Sequence, residues 1–155
     1  MSAFRRFALP TLAAVALAGC TLAPTGSYVA GIGSHSDALV TGSAVAAFVA
    51  YRLPPGGAVA LAPTFGERAT DAVTPILTAE LRQRGVAVVD GPQPPPGVHH
   101  VRYWVTSLDS GELVRVTLDG STEGARFFAR NTAGTLQAGG PYTMTQAETA
   151  QETAP

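Results

Sequence analysis

The spacing of apolar residues changes once along this chain, and that change constrains the fold more than any other feature. Between residues 38 and 90, apolar residues recur every three or four positions or in short runs between prolines and glycines, which is typical of helices alternating with buried strands. From residue 99 onward the period is two, and the apolar positions are Val101, Tyr103, Val105, Val114, Val116 and Leu118. The sequence therefore predicts a small α+β domain in which one helix and a β-α-β unit precede an antiparallel β-meander.

The first helix is predicted over residues 38–52. Ser36 or Asp37 immediately precedes the apolar run and is expected to cap the helix, and the prolines and glycines directly after the run end it. This helix is too short to span a bilayer, and it is apolar on more than one face. Two interpretations follow: a helix of the core, or a helix that docks on a partner protein through Phe48 and Val49.

A β-α-β unit is predicted after this helix. Its elements are a strand over 58–62, a helix over 65–84 and a strand over 86–90. Thr64 and Glu67 fit a capping box at the start of the helix. Pro75 lies inside the helix and predicts either a kink or a fresh start at residue 74, because proline lacks the amide hydrogen of a helix interior. Two strands joined in this way normally pair in parallel.

The β-meander is predicted from residue 99 to the end of the domain. Its later features are a turn at 109–111, a strand over 125–131, a turn at Gly134 and an edge strand over 142–145. The tail over 146–155 has no large apolar residue and is expected to be disordered.

The N-terminus has the layout of a secretory signal peptide. Arg5 and Arg6 precede an apolar run over 7–18, and small residues follow it. Residues 17–20, Leu-Ala-Gly-Cys, resemble the lipobox of bacterial lipoproteins at all four positions. The alternative is a transmembrane helix with a buried thiol, but the run of about twelve residues falls short of the roughly 20 that a spanning helix needs. We therefore predict a signal peptide over 1–19.

The lipobox resemblance implies a lipid anchor. Cleavage is expected between Gly19 and Cys20, with a diacylglycerol on the sulfur of Cys20 and an acyl chain such as palmitate on the new amino terminus. Residues 20–36 are expected to form a flexible tether, and residues 37–145 the periplasmic domain. Aspartate after the cysteine marks retention in the inner membrane of Gram-negative bacteria, so Thr21 predicts the periplasmic face of the outer membrane.

Composition argues against several kinds of partner and site. Only 14% of the residues are charged, against about 25% in an average domain, and there is no lysine. Without the signal peptide, eight arginines face eleven acidic residues, a net charge near −3, so we predict no direct nucleic-acid partner. Cys20 is the only cysteine of the chain, which excludes an intramolecular disulfide and a cysteine metal cluster.

No motif predicts catalysis. His99 and His100 are adjacent on a predicted strand, so their side chains point to opposite faces and cannot share a metal ion. The sequence has neither the H-E-x-x-H spacing nor a G-x-S-x-G elbow. We therefore predict no enzyme, no cofactor, no metal site and no small-molecule substrate.

Three segments carry a resemblance to a known family. They are LRQRGVAV at 81–88, LVRVTL at 113–118 and GTLQAGGPYT at 134–143. Together with the lipobox, the helix and its proline break, they resemble the TrbH-type lipoproteins of conjugative type IV secretion systems. Pro75 and the absence of lysine are not features that this family would have led us to expect.

The resemblance implies a structural role. The protein would be a lipid-anchored component of the mating-pair channel, with the outer-membrane channel subunits of a conjugation system as its partners. The alternative is an envelope lipoprotein that regulates a cell-wall synthase or an export pore and has no link to DNA transfer.

Overall fold

A computed structural model describes residues 26–30, 32–65, 71–89 and 95–146. In chain order, the elements are β1 (Ser27–Val29), α1 (His35–Arg52), β2 (Ala58–Leu61), β3 (Thr64–Phe65), α2 (Val73–Gln83), β4 (Ala87–Val89), β5 (His99–Leu108), β6 (Gly111–Leu118), β7 (Thr122–Arg130), β8 (Leu136–Ala138) and β9 (Thr143–Gln146). Two helices and one mixed sheet confirm the predicted α+β class.

The sheet is organised around two long strands that each pair with two short ones. The first half of β5 pairs in parallel with β2, and its second half pairs in parallel with β1. The first half of β7 pairs with β9 and its second half with β8, both antiparallel. Since β6 lies between β5 and β7, the strand order is β3-β1-β5-β6-β7-β8. β2 lies beside the first half of β5, and β4 pairs with the other side of β2.

The β-α-β unit and the meander both form as predicted. β2 and β4, which flank α2, pair in parallel with Ala58 opposite Ala87. β5 and β6 form an antiparallel hairpin in which Tyr103 lies opposite Val116. The hairpin closes at Gly111, where an added Cβ would lie 2.0 Å from the carbonyl oxygen of Phe128, so this position accepts only glycine.

The start of α1 differs from the prediction. Its N-cap is Ser34, whose hydroxyl accepts a hydrogen bond from the amide of Asp37 at 3.1 Å. The prediction of Ser36 or Asp37 as the cap was therefore wrong. Asp37 is instead buried in the first turn of the helix, where its carboxylate binds Arg130.

The start of α2 also differs. Thr64 lies in β3 and donates to the carboxylate of Asp71 at 2.6 Å, so the predicted capping box was wrong. The N-cap residue is Ala72, and the side chain of Asp71, one residue before it, takes the capping role by accepting from the amides of Val73 and Thr74. Pro75 then falls in the first turn, which was the second of the two predicted outcomes.

Both helices cover one face of the sheet. Thr41 of α1 donates to Glu112, and Thr74 of α2 bonds to Tyr103, two residues on the same face of the sheet. The helices approach each other closely at Gly42, where an added Cβ would lie 2.8 Å from Ile76. The buried side chains of both helices and of this sheet face form one continuous core.

Other predictions can be compared with the described residues. Ser27–Val29 form β1 inside the segment predicted to be a flexible tether, so that prediction was wrong for these residues. The signal peptide, the cleavage site at Gly19 and Cys20, the rest of the capping box and the tail after Gln146 lie outside the described residues. None of the described helices has the length and apolar character needed to cross a bilayer.

Candidate partner-docking site

The two residues predicted to dock a partner lie on the buried side of α1. Val49 is fully buried, and Phe48 is 6% exposed. Phe48 fits against the sheet because its partner there is Gly124, where an added Cβ would lie 2.4 Å from the ring. Val49 is therefore a core residue in this chain, whereas Phe48 also lines the floor of a surface groove.

This groove has a volume of about 350 Å³ and lies between the second half of α1 and strands β7 and β9. The side chains that give it its chemical character are Phe48, Tyr51, Arg52, Arg126, Tyr142 and Met144. We call it the arginine groove. Three elements far apart in sequence therefore build one concave surface on the helix side of the sheet.

Aromatic rings hold both arginines of the groove. The guanidinium of Arg52 lies 5.3 Å from the ring centre of Phe48 and 5.9 Å from that of Tyr51. The guanidinium of Arg126 lies 5.5 Å from the ring centre of Tyr142, which in turn is 4.7 Å from that of Phe48. Such cation–π contacts hold a guanidinium against a ring but leave the positive charge of the guanidinium unneutralised.

Several polar atoms of the groove lack a partner. Within the described part of the chain, the Nε atoms of Arg52 and Arg126 and the hydroxyl of Tyr142 are buried without a hydrogen bond. Burial raises the pKa of Tyr142 to about 12, although the nearby charge of Arg126 lowers it, so the hydroxyl is neutral at pH 7 and can donate. One terminal nitrogen of Arg52 donates to the sulfur of Met144 at 3.1 Å, which is a weak acceptor.

A second polar cluster lies near the other end of α1. The carboxylate of Glu112 accepts from Thr41 at 3.1 Å and lies 3.6 Å from Arg130, which also donates to Asp37 at 3.0 Å. Burial and the charge of Asp37 raise the pKa of Glu112, and the bonds to Thr41 and Arg130 offset part of that rise. One arginine thus contacts two buried acidic residues, and its single positive charge balances only one carboxylate.

A third cluster joins α2 to the sheet. Asp71 accepts from the hydroxyls of Thr64 and Thr74, and Thr74 also bonds to the hydroxyl of buried Tyr103. Burial acts to raise the pKa of Asp71, but the hydrogen bonds from Thr64, Thr74 and the helix amides outweigh it and lower the pKa. Burial raises the pKa of Tyr103 far above its ordinary value.

The adjacent histidines share a partner. Nδ1 of His99 lies 2.7 Å from the carboxylate of Asp119, which also accepts from the backbone amide of His100 at 2.7 Å. Within the described ranges, no three histidine, cysteine, aspartate or glutamate side chains come together as a metal site would require.

Sequence reasoning missed the arginine groove. It assigned Arg52 only to the end of a helix and Arg126 only to a strand, and nothing in the local pattern relates two residues 74 positions apart. A glycine inside a strand often marks a close approach, but the predicted strand began at residue 125, so Gly124 fell outside it and gave no such signal.

Comparison with known proteins identifies one family. The family model described as conjugal transfer protein TrbH matches residues 26–148, which is most of the chain. No curated protein and no solved structure matches it. The match spans every described element, including all three parts of the arginine groove.

Proposed function

The chain belongs to the TrbH family of conjugal transfer proteins, and we propose that it is a lipid-anchored structural component of the outer-membrane channel of a conjugation system. The family match carries the conjugation part of this proposal. The lipobox at residues 17–20 supports the anchor. The family description names conjugal transfer, which agrees with a component of the conjugation machinery.

The chemistry of the anchor supports stable attachment to a membrane. Each buried methylene contributes about 0.8 kcal/mol, and a single acyl chain binds only marginally, so the two or three chains expected on Cys20 make a lasting attachment. Five residues separate Cys20 from the start of the family match at residue 26. The anchor therefore holds the domain within reach of proteins embedded in the same membrane.

Labelling with radioactive palmitate tests the anchor. Wild-type protein should incorporate the label and fractionate with the outer membrane. Cys20→Ala should incorporate none and accumulate as an uncut or soluble precursor. Labelled Cys20→Ala protein with unchanged fractionation would contradict the anchor.

A matched variant tests whether the anchored protein resides in the outer or the inner membrane. Thr21→Asp keeps the acylated cysteine and places an aspartate directly after it. This variant should be labelled like wild type but fractionate with the inner membrane, and its donor cells should transfer DNA less often. Unchanged transfer by both Cys20→Ala and Thr21→Asp would contradict a structural role at the outer membrane.

A further inference from the structure

We propose that the arginine groove binds a segment of a partner protein in which a carboxylate lies next to an apolar side chain, with Arg52 and Arg126 holding the carboxylate. This inference names the partner chemistry of the structural role proposed above and rests on that role. Three observations support it. The two guanidiniums have buried donors without a hydrogen bond, the described acidic residues bind other groups, and the residues that line the groove are typical of protein interfaces.

Both guanidiniums lie beside the same groove, and each carries an unmet donor. Arg52 comes from α1 and Arg126 from β7, and both line the groove with their Nε atoms buried and, within the described residues, unbonded. Buried donors without acceptors cost free energy, so three of them beside one cavity favour an acceptor that is supplied from outside. The third donor is the hydroxyl of Tyr142.

The described acids do not supply that acceptor. Those that form ion pairs do so elsewhere: Asp37 and Glu112 with Arg130, Glu80 with Arg84, Asp119 with His99, and Glu123 with Arg115. Asp71 is engaged by two threonines and a helix start. Within the described residues, no ion pair involves Arg52 or Arg126, so the positive charge of the groove is uncompensated there. A planar guanidinium pairs best with a carboxylate.

The lining of the groove is that of a protein interface. Arginine, tyrosine, phenylalanine and methionine are the residues enriched at the centres of such interfaces, and the groove has all four. Tyr51 stands at its rim with 85% of its surface exposed, although a ring of this size usually finds cover. A partner side chain that lay between Tyr51 and Met144 would bury both.

Its size favours a peptide over a lipid. At about 350 Å³ the groove is at the small end of ligand sites, with room for one or two side chains rather than for the acyl chains of an anionic lipid. The headgroup of an anionic lipid would still offer a negative charge to the two arginines, so the experiment below also tests lipid binding.

Selection from a displayed library of random twelve-residue peptides tests the proposal. Peptides selected on the mature wild-type chain should carry aspartate or glutamate beside an aromatic or aliphatic residue. Replacing that acid by its amide should weaken binding about tenfold or more, as should Arg52→Gln and Arg126→Gln. Arg115→Gln is the matched control, because Arg115 is half exposed on the opposite face of the sheet and should leave binding unchanged.

Conservative and truncated variants keep the result interpretable. Arg52→Lys retains the charge but loses the planar fork, so its affinity should fall between those of wild type and Arg52→Gln. A chain that ends at Gln146 lacks Glu148 and Glu152 and should bind as wild type does. Tighter binding by this truncated chain would mean that its own tail occupies the groove and would overturn the proposal. Thermal unfolding of each variant confirms that the fold is retained.

Three further outcomes would overturn the inference. They are selected peptides without an acidic residue, equal binding by Arg52→Gln and wild type, and arginine-dependent binding to phosphatidylglycerol vesicles in place of peptides. Each can be told apart from failure of the proposed function, because palmitate labelling and membrane fractionation do not depend on the groove. Normal anchoring with no acidic peptide bound would reject the groove alone.

Discussion

The Asp71 cluster and the arginine groove are both polar regions beside the same core, yet they meet their hydrogen-bonding needs in opposite ways. Around Asp71, two threonine hydroxyls and two helix amides donate to one carboxylate, and the hydroxyl of Tyr103 bonds to Thr74. In the groove, two guanidiniums and a hydroxyl retain buried donors without an acceptor among the described residues.

This difference separates polar groups that stabilise the fold from polar groups kept for another molecule. A satisfied cluster fixes the position of α2 on the sheet and loses free energy when one member is removed. An unsatisfied cluster costs stability in the isolated chain and gains it on binding. Substitutions in the Asp71 cluster should therefore affect unfolding most, and substitutions in the groove should affect binding most.

The largest effect is expected from a charge next to the groove but inside the core. Val49→Asp places an unpaired carboxylate at a fully buried position, which costs more free energy than a small domain can lose, so the domain should be unfolded in circular dichroism. Leu39→Asp is the control, because Leu39 is exposed on α1 and does not line the groove, so this variant should stay folded. A folded Val49→Asp that fails to bind its partner would place Val49 at an interface instead.

Removing the central acid of the satisfied cluster should have the next largest effect. Asp71→Ala loses the cap of α2 and leaves the hydroxyls of Thr64 and Thr74 without their acceptor, for a combined loss of about 2–4 kcal/mol in the free energy of unfolding. Urea titration measures it. Glu80→Gln, which removes an exposed ion pair on the same helix, should change stability by less than about 1 kcal/mol. Equal losses for the two variants would show that the cluster does not stabilise α2.

The contributions of Glu112 and Asp71 to stability change with pH in opposite directions. Burial raises the pKa of Glu112. Its contribution to the free energy of unfolding is therefore complete below its ordinary pKa of 4.5 and is lost as the pH rises through the raised pKa. The pKa of Asp71 is lowered, so its contribution is present above 3.8 and is lost as the pH falls through the lowered pKa.

Urea titrations between pH 4 and pH 8 measure the contribution of Glu112. Glu112→Gln cannot ionise, so its stability relative to wild type should increase with pH over that window, by at most about 1.4 kcal/mol per pH unit. Parallel profiles for the two proteins would show that Glu112 ionises in the folded state as it does in the unfolded chain.

The smallest effect on stability is expected in the groove. Arg52→Gln combined with Arg126→Gln removes four cation–π contacts worth about 0.5–2 kcal/mol each and the weak bond from Arg52 to Met144. It also removes two unmet buried donors that cost about 1–3 kcal/mol each, so the net loss should stay below about 2 kcal/mol. Urea titration of the double variant checks this. A loss as large as that of Asp71→Ala would make the groove a structural cluster and remove the distinction between the two regions.

The sequence predicts those parts of the fold that depend on local pattern. Alternation at Val101, Tyr103 and Val105 predicts a strand with one buried face, and all three residues are fully buried. The start of α2 was mispredicted because Thr64 and Glu67 satisfy a local capping rule, whereas the acceptor that Thr64 uses is Asp71. β1 was missed because three residues pair with strands distant in sequence and carry no pattern of their own.

The arginine groove depends on tertiary structure alone. It requires α1 to lie across β7 at Gly124 and β9 to return beside β7, and both are long-range contacts. Arg52, Arg126 and Tyr142 each look like an ordinary surface residue in their local sequence. Only the fold shows that these three residues line one cavity.

Site-specific photo-crosslinking in donor cells tests the central claim most directly. A photoreactive phenylalanine analogue in place of Tyr51, at the rim of the groove, should yield an adduct that mass spectrometry identifies as an outer-membrane channel subunit of the conjugation system. Its crosslinked peptide should contain aspartate or glutamate, and the adduct should disappear with Arg52→Gln and Arg126→Gln. The same analogue at exposed Leu108 should give no such adduct. An adduct at Leu108 but not at Tyr51, or one that is unaffected by loss of the two arginines, would contradict the account.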